Sequence, residues 1–364
     1  MTRVLFLTRY PVEGASSRYR VFQYLKHLEE IGVHADVQSF MDTPMYHLSL
    51  NRGRTSAKIF AAIRATARRF WALRKWKDYD ALYFQRELLP FGPPIIEKYL
   101  RKRGAVMFFD YDDALFIKQP SMHNWLATAL RSGDKTLELF RIVHCVVSGN
   151  NWLKDAAIKA GAEKAVTLEV AEDTDRIPMH APHTNAKPVT IGWLGSPTTV
   201  KYLRLIEPVL QRLARKYPEI RWEIIGGSEF NMPGVDWTLH NWTLDGELEA
   251  LARFDIGLMP LPLEDWSLGK SGGKARTYMA AGVVPIVSAI GYNNELIRHG
   301  ETGFLCKSED DWERYLVRAI EDAGLRQTIA SEARKEVEER FDPRSTAQKM
   351  AELLQEVVQD VESR

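Results

Sequence analysis

Apolar residues along this chain gather into short continuous runs, and longer stretches with helical spacing separate them. The first series is "RVLFLT" (3–8), "HADVQSF" (34–40), "DALYFQ" (80–85), "AVMFFD" (105–110) and "IVHCVV" (142–147). Stretches such as "SRYRVFQYLKHLEEIG" lie between the runs. Strands that are apolar throughout, alternating with helices, predict a parallel sheet covered on both faces. The pattern restarts with "VTIGWLG" (189–195), "RWEIIGG" (221–227), "DIGLMPL" (255–261) and "VVPIVS" (283–288). Between the two series lies "AEDTDRIPMHAPHTNAKP" (171–188), polar, aperiodic and carrying three prolines, which reads as a hinge. Near the end, Met350, Leu353, Leu354, Val357, Val358 and Val361 recur at helical spacing and predict a last amphipathic helix. The expectation is an α/β chain of two Rossmann-like domains, 1–180 and 188–340, with a C-terminal helix over 341–364.

Open α/β sheets bind ligands at the carboxyl ends of their strands. Two such domains facing one another would enclose a cleft, so the loops after strands hold the candidate chemistry. The stretch "LEDWSLGKSGGKARTYMAAGVVP" (263–285) contains Gly269-Lys270-Ser271, which looks like the tail of a P-loop. A P-loop reads Gly, four residues, then Gly-Lys-Ser/Thr, directly after a strand. The first glycine would be residue 264, which is glutamate, and the preceding "PLPLEDW" is poor strand material. The segment still suits an anion. Ser271, Gly272 and Gly273 precede the helical stretch "KARTYMAAG", and a helix start offers unsatisfied N–H groups with partial positive charge. Glycines allow close approach to the backbone, and Lys270 and Lys274 add two cations.

Other strand ends offer further candidates. "TRYPVEGASSR" (8–18) has small residues at Gly14, Ala15 and Ser16 and lacks the G-x-G-x-x-G fingerprint, which argues against a dinucleotide dehydrogenase. "GSPTT" (195–199) brings Gly195 and Ser196 to a helix start, with Lys201 close behind. "FFDYDDALF" (108–116) places Asp110, Asp112 and Asp113 at a strand end, where Asp112 or Asp113 would orient or deprotonate a hydroxyl group. The other reading is a solvated loop with Asp113 as a cap. Arg86, next to Glu87 in "FQREL", is a potential ion-pair partner of those acids.

Several of these segments resemble one family. "GKSGGKARTYMAAGVVPIVSAIGYNNELIRHGETGFL" is similar to the C-terminal half-site of glycosyltransferase family 4, in a branch with a G-K-x-G-x-K motif. "VTIGWLGSPTTVKYL" and "VLFLTRYPVEGASSRYRVFQYL" resemble its second-domain opening and its N-terminus. The resemblance implies the GT-B fold, with the final helix returning to the N-terminal acceptor domain. It implies sugar transfer from a nucleotide-sugar donor to a hydroxyl acceptor, with retention and no required metal or other cofactor. Polysaccharide, glycolipid or cell-envelope glycan synthesis is the setting it suggests, with a UDP-sugar ahead of a GDP-sugar. Donor contacts are then expected from Gly14, Ala15, Gly195, Ser196, Lys201, Glu264, Lys270, Ser271, Gly272, Gly273, Lys274 and Thr277. The resemblance makes Glu264 a candidate for sugar hydroxyls, and "IIGGSEF" and "HNWTL" candidates for backbone groups and a stacking face around a base. The catalytic set is Asp112, Asp113, Lys270 and Lys274, and domain closure would exclude water. The family often carries two glutamates where this chain has Gly269 and Thr277. That departure keeps two alternatives open, a catalytically silent GT-B binding subunit and another GT-B enzyme such as a sugar-nucleotide epimerase.

Bulk composition changes little of this. The chain has 364 residues and a formal net charge of +1, so only local charge is informative. Two cysteines outside any CxxC pair fit a reduced, cytoplasmic protein. Residues 52–77, "RGRTSAKIFAAIRATARRFWALRKWK", carry nine lysines and arginines and no acid, with Ile59, Ile63, Phe70 and Trp71 as an apolar stripe. A cationic amphipathic helix with tryptophans suits an anionic membrane surface, here the inner face of the plasma membrane. The other reading packs that stripe on the core and leaves a solvated basic face. No nucleic-acid reading motif accompanies the charge.

Overall fold

The computed structural model describes residues 2–51, 53–117, 133–181, 183–184, 188–227, 229–243 and 246–364. Arg52 of the basic segment, residues 182 and 185–187 of the hinge, and Ser228 and Leu244 of the segments expected around a base lie outside the described residues. The chain forms two compact units, Met1–Ala171 with Pro343–Arg364, and Glu172–Asp342.

The first unit is built on β1 (Thr2–Thr8), β2 (Val33–Ser39), β3 (Ala81–Gln85), β4 (Met107–Tyr111), β5 (Cys145–Ser148) and β6 (Ala165–Thr167). These strands are parallel, in the order β2-β1-β3-β4-β5-β6. The sheet reverses direction between β1 and β3, where Val4 pairs with Ala81 and Leu7 with Phe84. Val4, Phe6, Tyr83, Phe108 and Val147 supply one buried face. Under β4, Asp110 is fully buried beside Arg20, whose Nε and Nη2 lie 2.8 and 2.6 Å from its oxygens. Burial opposes the charge on Arg20, but the Asp110 carboxylate outweighs it and raises the arginine's pKa. Arg20 Nη1 also donates to Leu168 O at 2.5 Å, which fastens the end of the unit to its middle.

The second unit contains β7 (Thr190–Leu194), β8 (Arg221–Ile225), β9 (Trp237–His240), β10 (Ile256–Met259), β11 (Val284–Ser288) and β12 (Phe304–Cys306). Their order is β12-β11-β10-β7-β8-β9, again parallel, so the switch point lies between β7 and β10. Cores on both faces explain why its central strands are apolar throughout. Strands β6, β9 and β12 escape a reading from sequence. Each is an edge strand of only three or four residues, too short to stand out as an apolar run.

The segment read as a hinge is largely fastened to the second unit. His180 N donates to Ala281 O at 2.7 Å, and Arg334 reaches Thr174 O and Ile177 O at 2.9 and 2.7 Å. His183 lies between two acceptors, Asp255 Oδ1 at 2.9 Å and Gly282 O at 3.0 Å. Burial works against the Asp255 carboxylate, but the hydrogen bonds from His183 and Thr190 N hold its pKa below the ordinary range. This cluster sits at the amino end of β10, on the edge opposite the expected ligand edge.

The last helix, Pro343–Glu362, belongs to the first unit. Met350, Leu354, Val357 and Val358 are buried there among Val21, Tyr24 and Leu28, and Leu353 and Val361 pack at the margin. The register expected from sequence is therefore the one observed. Leu354→Ala should destabilise the first unit by about 2–5 kcal/mol through lost burial and a residual cavity. Urea unfolding followed by tryptophan fluorescence measures it, and a change below about 0.5 kcal/mol would contradict this packing.

Candidate functional site

The second unit concentrates its candidate residues at the carboxyl edge of the sheet, beside the switch point. Strands β7 and β10 pair only through Ile256 with Ile191 and Gly257 with Gly192, and part beyond them. Tyr278, on the helix Gly273–Ala281, fills the gap. Its hydroxyl accepts from Leu194 N at 2.9 Å and donates to Leu258 O at 3.2 Å. Its ring lies on Gly257, where a Cβ would come within 2.5 Å of it, so glycine is required there. The helix is thus anchored at the switch point, and its first turn faces the end of β7.

Gly272 caps that helix with φ +64°, and a Cβ there would meet Leu296 Cδ2 at 2.7 Å. Only glycine accepts both the left-handed turn and the contact. The loop after β7 comes directly against the same helix. A Cβ on Gly195 would lie 2.6 Å from Lys274 Cε and 2.5 Å from the Trp193 ring. Lys274 Nζ stands 5.3 Å from the centre of the Trp193 ring. Lys270 Nζ stands 3.7 Å from that of Trp266, which packs on Tyr202 at 6.0 Å. Lys201 lies over Tyr202 at 5.3 Å. Aromatic faces therefore hold three of the expected cations in a small region, with the ring quadrupoles stabilising the ammonium groups.

The line continues along the sheet edge. A Cβ on Gly226 would meet Gly195 O at 2.2 Å and Trp242 Cβ at 3.3 Å. Trp242 Nε1 donates to the buried Glu247 carboxylate at 2.8 Å, which fixes the indole. Trp242 after β9, Gly226 after β8, Gly195 after β7 and Lys274 on the Gly273 helix thus follow one another along the edge. Ser196 is exposed, and its hydroxyl bonds to Thr198 Oγ1 at 2.8 Å. Glu264 is exposed at the start of the short helix Asp265–Leu268.

Thr277 differs from the expectation of direct donor contact. It is buried, and its hydroxyl lies 3.0 Å from both Glu172 Oε2 and Gly273 O. Glu172 is buried too and stands 3.8 Å from Arg276 Nε, while Arg276 Nη1 donates to Ser271 O at 3.1 Å. These residues brace the Ser271–Gly273 turn from behind. Sequence reasoning placed Trp266 near the donor site with Glu264 and missed Glu172 and Trp193. Glu172 lies about a hundred residues from its partners with no spacing to signal it, and Trp193 sits within a strand-like apolar run.

In the first unit the strand ends form a polar network. Ser17 Oγ donates to Gln85 Oε1 at 2.8 Å, and Gln85 Nε2 donates to Ser16 Oγ at 2.7 Å. Ser16 Oγ in turn lies 2.8 and 2.7 Å from the two oxygens of Asp112. Arg86 donates to Asp113 Oδ2 at 2.7 Å and stands 3.8 Å from Asp112. The three aspartates are therefore not an uncompensated cluster. Asp110 belongs to Arg20, Asp113 to Arg86, and Asp112 holds the loop after β1. Arg86 has φ +65°, a strained conformation for a long side chain at a strand end. Gly14 closes the tight turn with Gly14 N donating to Pro11 O at 2.9 Å, and a Cβ there would strike Tyr10 Cβ at 2.3 Å. Ala15 is exposed beside it.

Residues 188–323 match the family model of glycosyl transferases, group 1. The chain is similar over 98% of its length to sucrose-phosphate synthase from Thermosynechococcus elongatus, at 14% identity and TM-score 0.68 over 99% of that chain. It is similar over 98% to HepE of Anabaena in complex with UDP-glucose, at 16% identity and TM-score 0.70 over 100% of that chain. A glycosyltransferase from Rickettsia africae matches 98% of this chain and 99% of its own, at 16% identity and TM-score 0.69. No curated protein matches the sequence. The structural likeness gives the GT-B fold, and the family match gives the class: the chain is a glycosyltransferase.

Tyr278→Phe should leave the buried Leu194 N–H without its acceptor and cost about 1–3 kcal/mol. Thermal unfolding measures it, and an unchanged Tm would mean that the hydroxyl does not hold the switch point. Gly195→Ala should displace Lys274 and weaken nucleotide binding by roughly tenfold, a loss of about 1.4 kcal/mol. Calorimetric titration with UDP reads the effect, and undiminished affinity would separate this loop from the ligand site.

Proposed function

We propose that the second unit binds a nucleotide-sugar donor and that the chain transfers its sugar, with retention and without a metal, to a hydroxyl acceptor on the first unit. The observation that carries this reading is the continuous line Trp242, Gly226, Gly195, Lys274 along the carboxyl edge of the second sheet. It has the order that a nucleoside diphosphate requires: a ring to stack a base, then glycine backbone and cations for phosphates. Lys270, Lys274 and the amides of Ser271–Gly273 would neutralise charge growing on the leaving diphosphate as the sugar–phosphate bond breaks. Two ammonium groups there supply the charge that a divalent cation would otherwise bring. Ser196, Lys201 and Glu264 border this line and remain candidates for sugar and phosphate contacts. Gly14 and Ala15 shape the loop after β1. Thr277 acts through the helix that it braces rather than on the donor.

Retention, membership in family 4 and a UDP donor rest on the sequence resemblance, and the UDP-glucose bound by HepE supports the last of these. On the acceptor side, Asp112 accepts from Ser16 and Asp113 is paired with Arg86. Asp112 is the better candidate to orient the acceptor hydroxyl, and Asp113 to position Arg86. Lys270→Ala and Lys274→Ala should each lower kcat by about 10²–10³, the scale for removing one electrostatic stabiliser. A radiolabelled transfer or donor-hydrolysis assay reads this, and unchanged rates in both variants would refute the assignment.

A peripheral membrane contact through residues 52–77 belongs to the same reading. The helix Thr55–Leu73 buries Ala65, Arg69 and Leu73, and points five other large apolar side chains outward. Phe60 is 71% exposed, Trp71 69% and Ile63 63%, with Ile59 and Phe70 beside them. This favours the surface-binding alternative over packing of that stripe on the core. Among the described residues no helix is long and apolar enough to cross a membrane. The protein should sediment with vesicles containing phosphatidylglycerol but not with phosphatidylcholine alone. Phe60→Ala with Trp71→Ala should reduce the bound fraction several-fold. Binding that ignores anionic lipid would reject the contact.

A further inference from the structure

Four arginines rank among the largest fully buried side chains: Arg20, Arg69, Arg276 and Arg326. Three are compensated. Arg20 pairs with Asp110, Arg276 stands 3.8 Å from Glu172, and Arg326 donates to the carbonyls of Ala319, Ile320 and Thr184. Arg69 differs. It makes one hydrogen bond, from Nη2 to Thr8 O at 2.6 Å, and its buried Nε and Nη1 have no partner among the described residues. The buried Glu97 carboxylate attracts it, but the two form no ion pair. Its helix neighbours Arg64 and Arg68 share Asp42, each at 2.7 Å.

Arg69 lies at the carboxyl end of β1, beside the switch point of the first sheet, which is the ligand edge of an open α/β domain. A second guanidinium accompanies it. Arg9, directly after β1, stands 5.4 Å from the Phe40 ring centre, and Arg69 stands 5.9 Å from the same ring. Burial, and then the like charges of Arg9 and Arg68, hold the Arg69 guanidinium down to about 9 against the weaker attraction of Glu97. A folded chain maintains a buried guanidinium without a direct ion pair only against a large desolvation penalty. Residues kept at such a cost are expected where function needs them.

We propose that Arg69 and Arg9 form a binding site for a phosphoryl group, so that the acceptor of this glycosyltransferase carries a phosphate. Two guanidiniums match the two charges of a phosphomonoester, and their planar forks suit its oxygens. Arg9 is the more exposed partner, at 6% against 1%, and would meet the anion first. The same helix turns its apolar face outward, so the phosphate could come from a soluble metabolite or from a lipid headgroup. The inference rests on the assignment of the acceptor to the first unit.

The test separates this site from the donor site. In a Lys270→Ala/Lys274→Ala background, calorimetric titration with inorganic phosphate and with glycerol 3-phosphate should reveal one site. Arg69→Met should weaken it by at least about tenfold, the scale of one lost charge-assisted contact, while the Tm holds or rises. If the methionine variant does not fold, Arg69→Lys keeps the charge, removes the fork, and should weaken binding by a similar factor. A second arm compares vesicles of phosphatidic acid with vesicles of phosphatidylglycerol. A preference for phosphatidic acid that vanishes in the Arg69 variant supports the site with a lipid source, whereas phosphate binding in solution alone supports it with a soluble source. Phosphate affinity independent of Arg69, or no Arg69-dependent binding in either arm, overturns the proposal. Donor hydrolysis by the chain with both lysines intact is measured separately, so failure of the donor assignment is distinguishable from failure of this site.

Discussion

The Tyr278 hydroxyl, held between Leu194 N and Leu258 O, is the contact on which the candidate donor site depends. Parallel strands on either side of a switch point must part, because their crossovers leave in opposite directions. Parting exposes backbone groups that a buried sheet cannot leave unpaired. A single phenol meets both needs and ties the helix behind it to both strands. Gly257 makes room for the ring, and Gly272 lets the chain enter the helix at the required angle. Lys274, one residue into that helix, is then carried to Gly195 at the end of β7. The lysine position follows from strand divergence, a tyrosine and two glycines, rather than from any contact of its own with an acid.

The first unit solves the same geometric problem with charge and amides. Gln85, Ser16 and Ser17 knit the ends of β1 and β3 to Asp112 after β4. Carboxylates that look like an acidic cluster in the sequence are divided among an arginine below the sheet, an arginine at its edge and a serine. Burying like charges together is costly, and each here has an individual partner of opposite charge or a hydroxyl donor. Arg69 breaks that economy.

Much of this was legible from the hydrophobic pattern. Nine of the twelve strands among the described residues fall on runs named from the sequence, and the central ones are apolar throughout because a strand covered on both faces must be apolar on both. The amphipathic spacing of Met350, Leu354, Val357 and Val358 also identified the face that is buried. Edge strands β6, β9 and β12 were not legible, since a short strand with one neighbour needs little apolar character. The Gly-Lys-Ser stretch was readable as an anion-binding turn from local chemistry alone. Glycines and lysines at a helix start have that meaning in any fold.

What the sequence by itself determined is therefore local: where strands and helices lie, which helix face is apolar, and which loops carry cations and glycines. Only the tertiary structure decided how distant residues compensate one another. Glu172 came to brace Thr277 and Arg276, Asp110 came to Arg20, and Arg69 was left with a single carbonyl. The outward turn of Phe60, Ile63 and Trp71 was decided in the same way, by which side of their helix met the sheet. Periodicity is a property of neighbouring residues and survives without the fold. Charge compensation and exposure are sums over everything nearby in space, and those neighbours exist only once the chain has closed on itself.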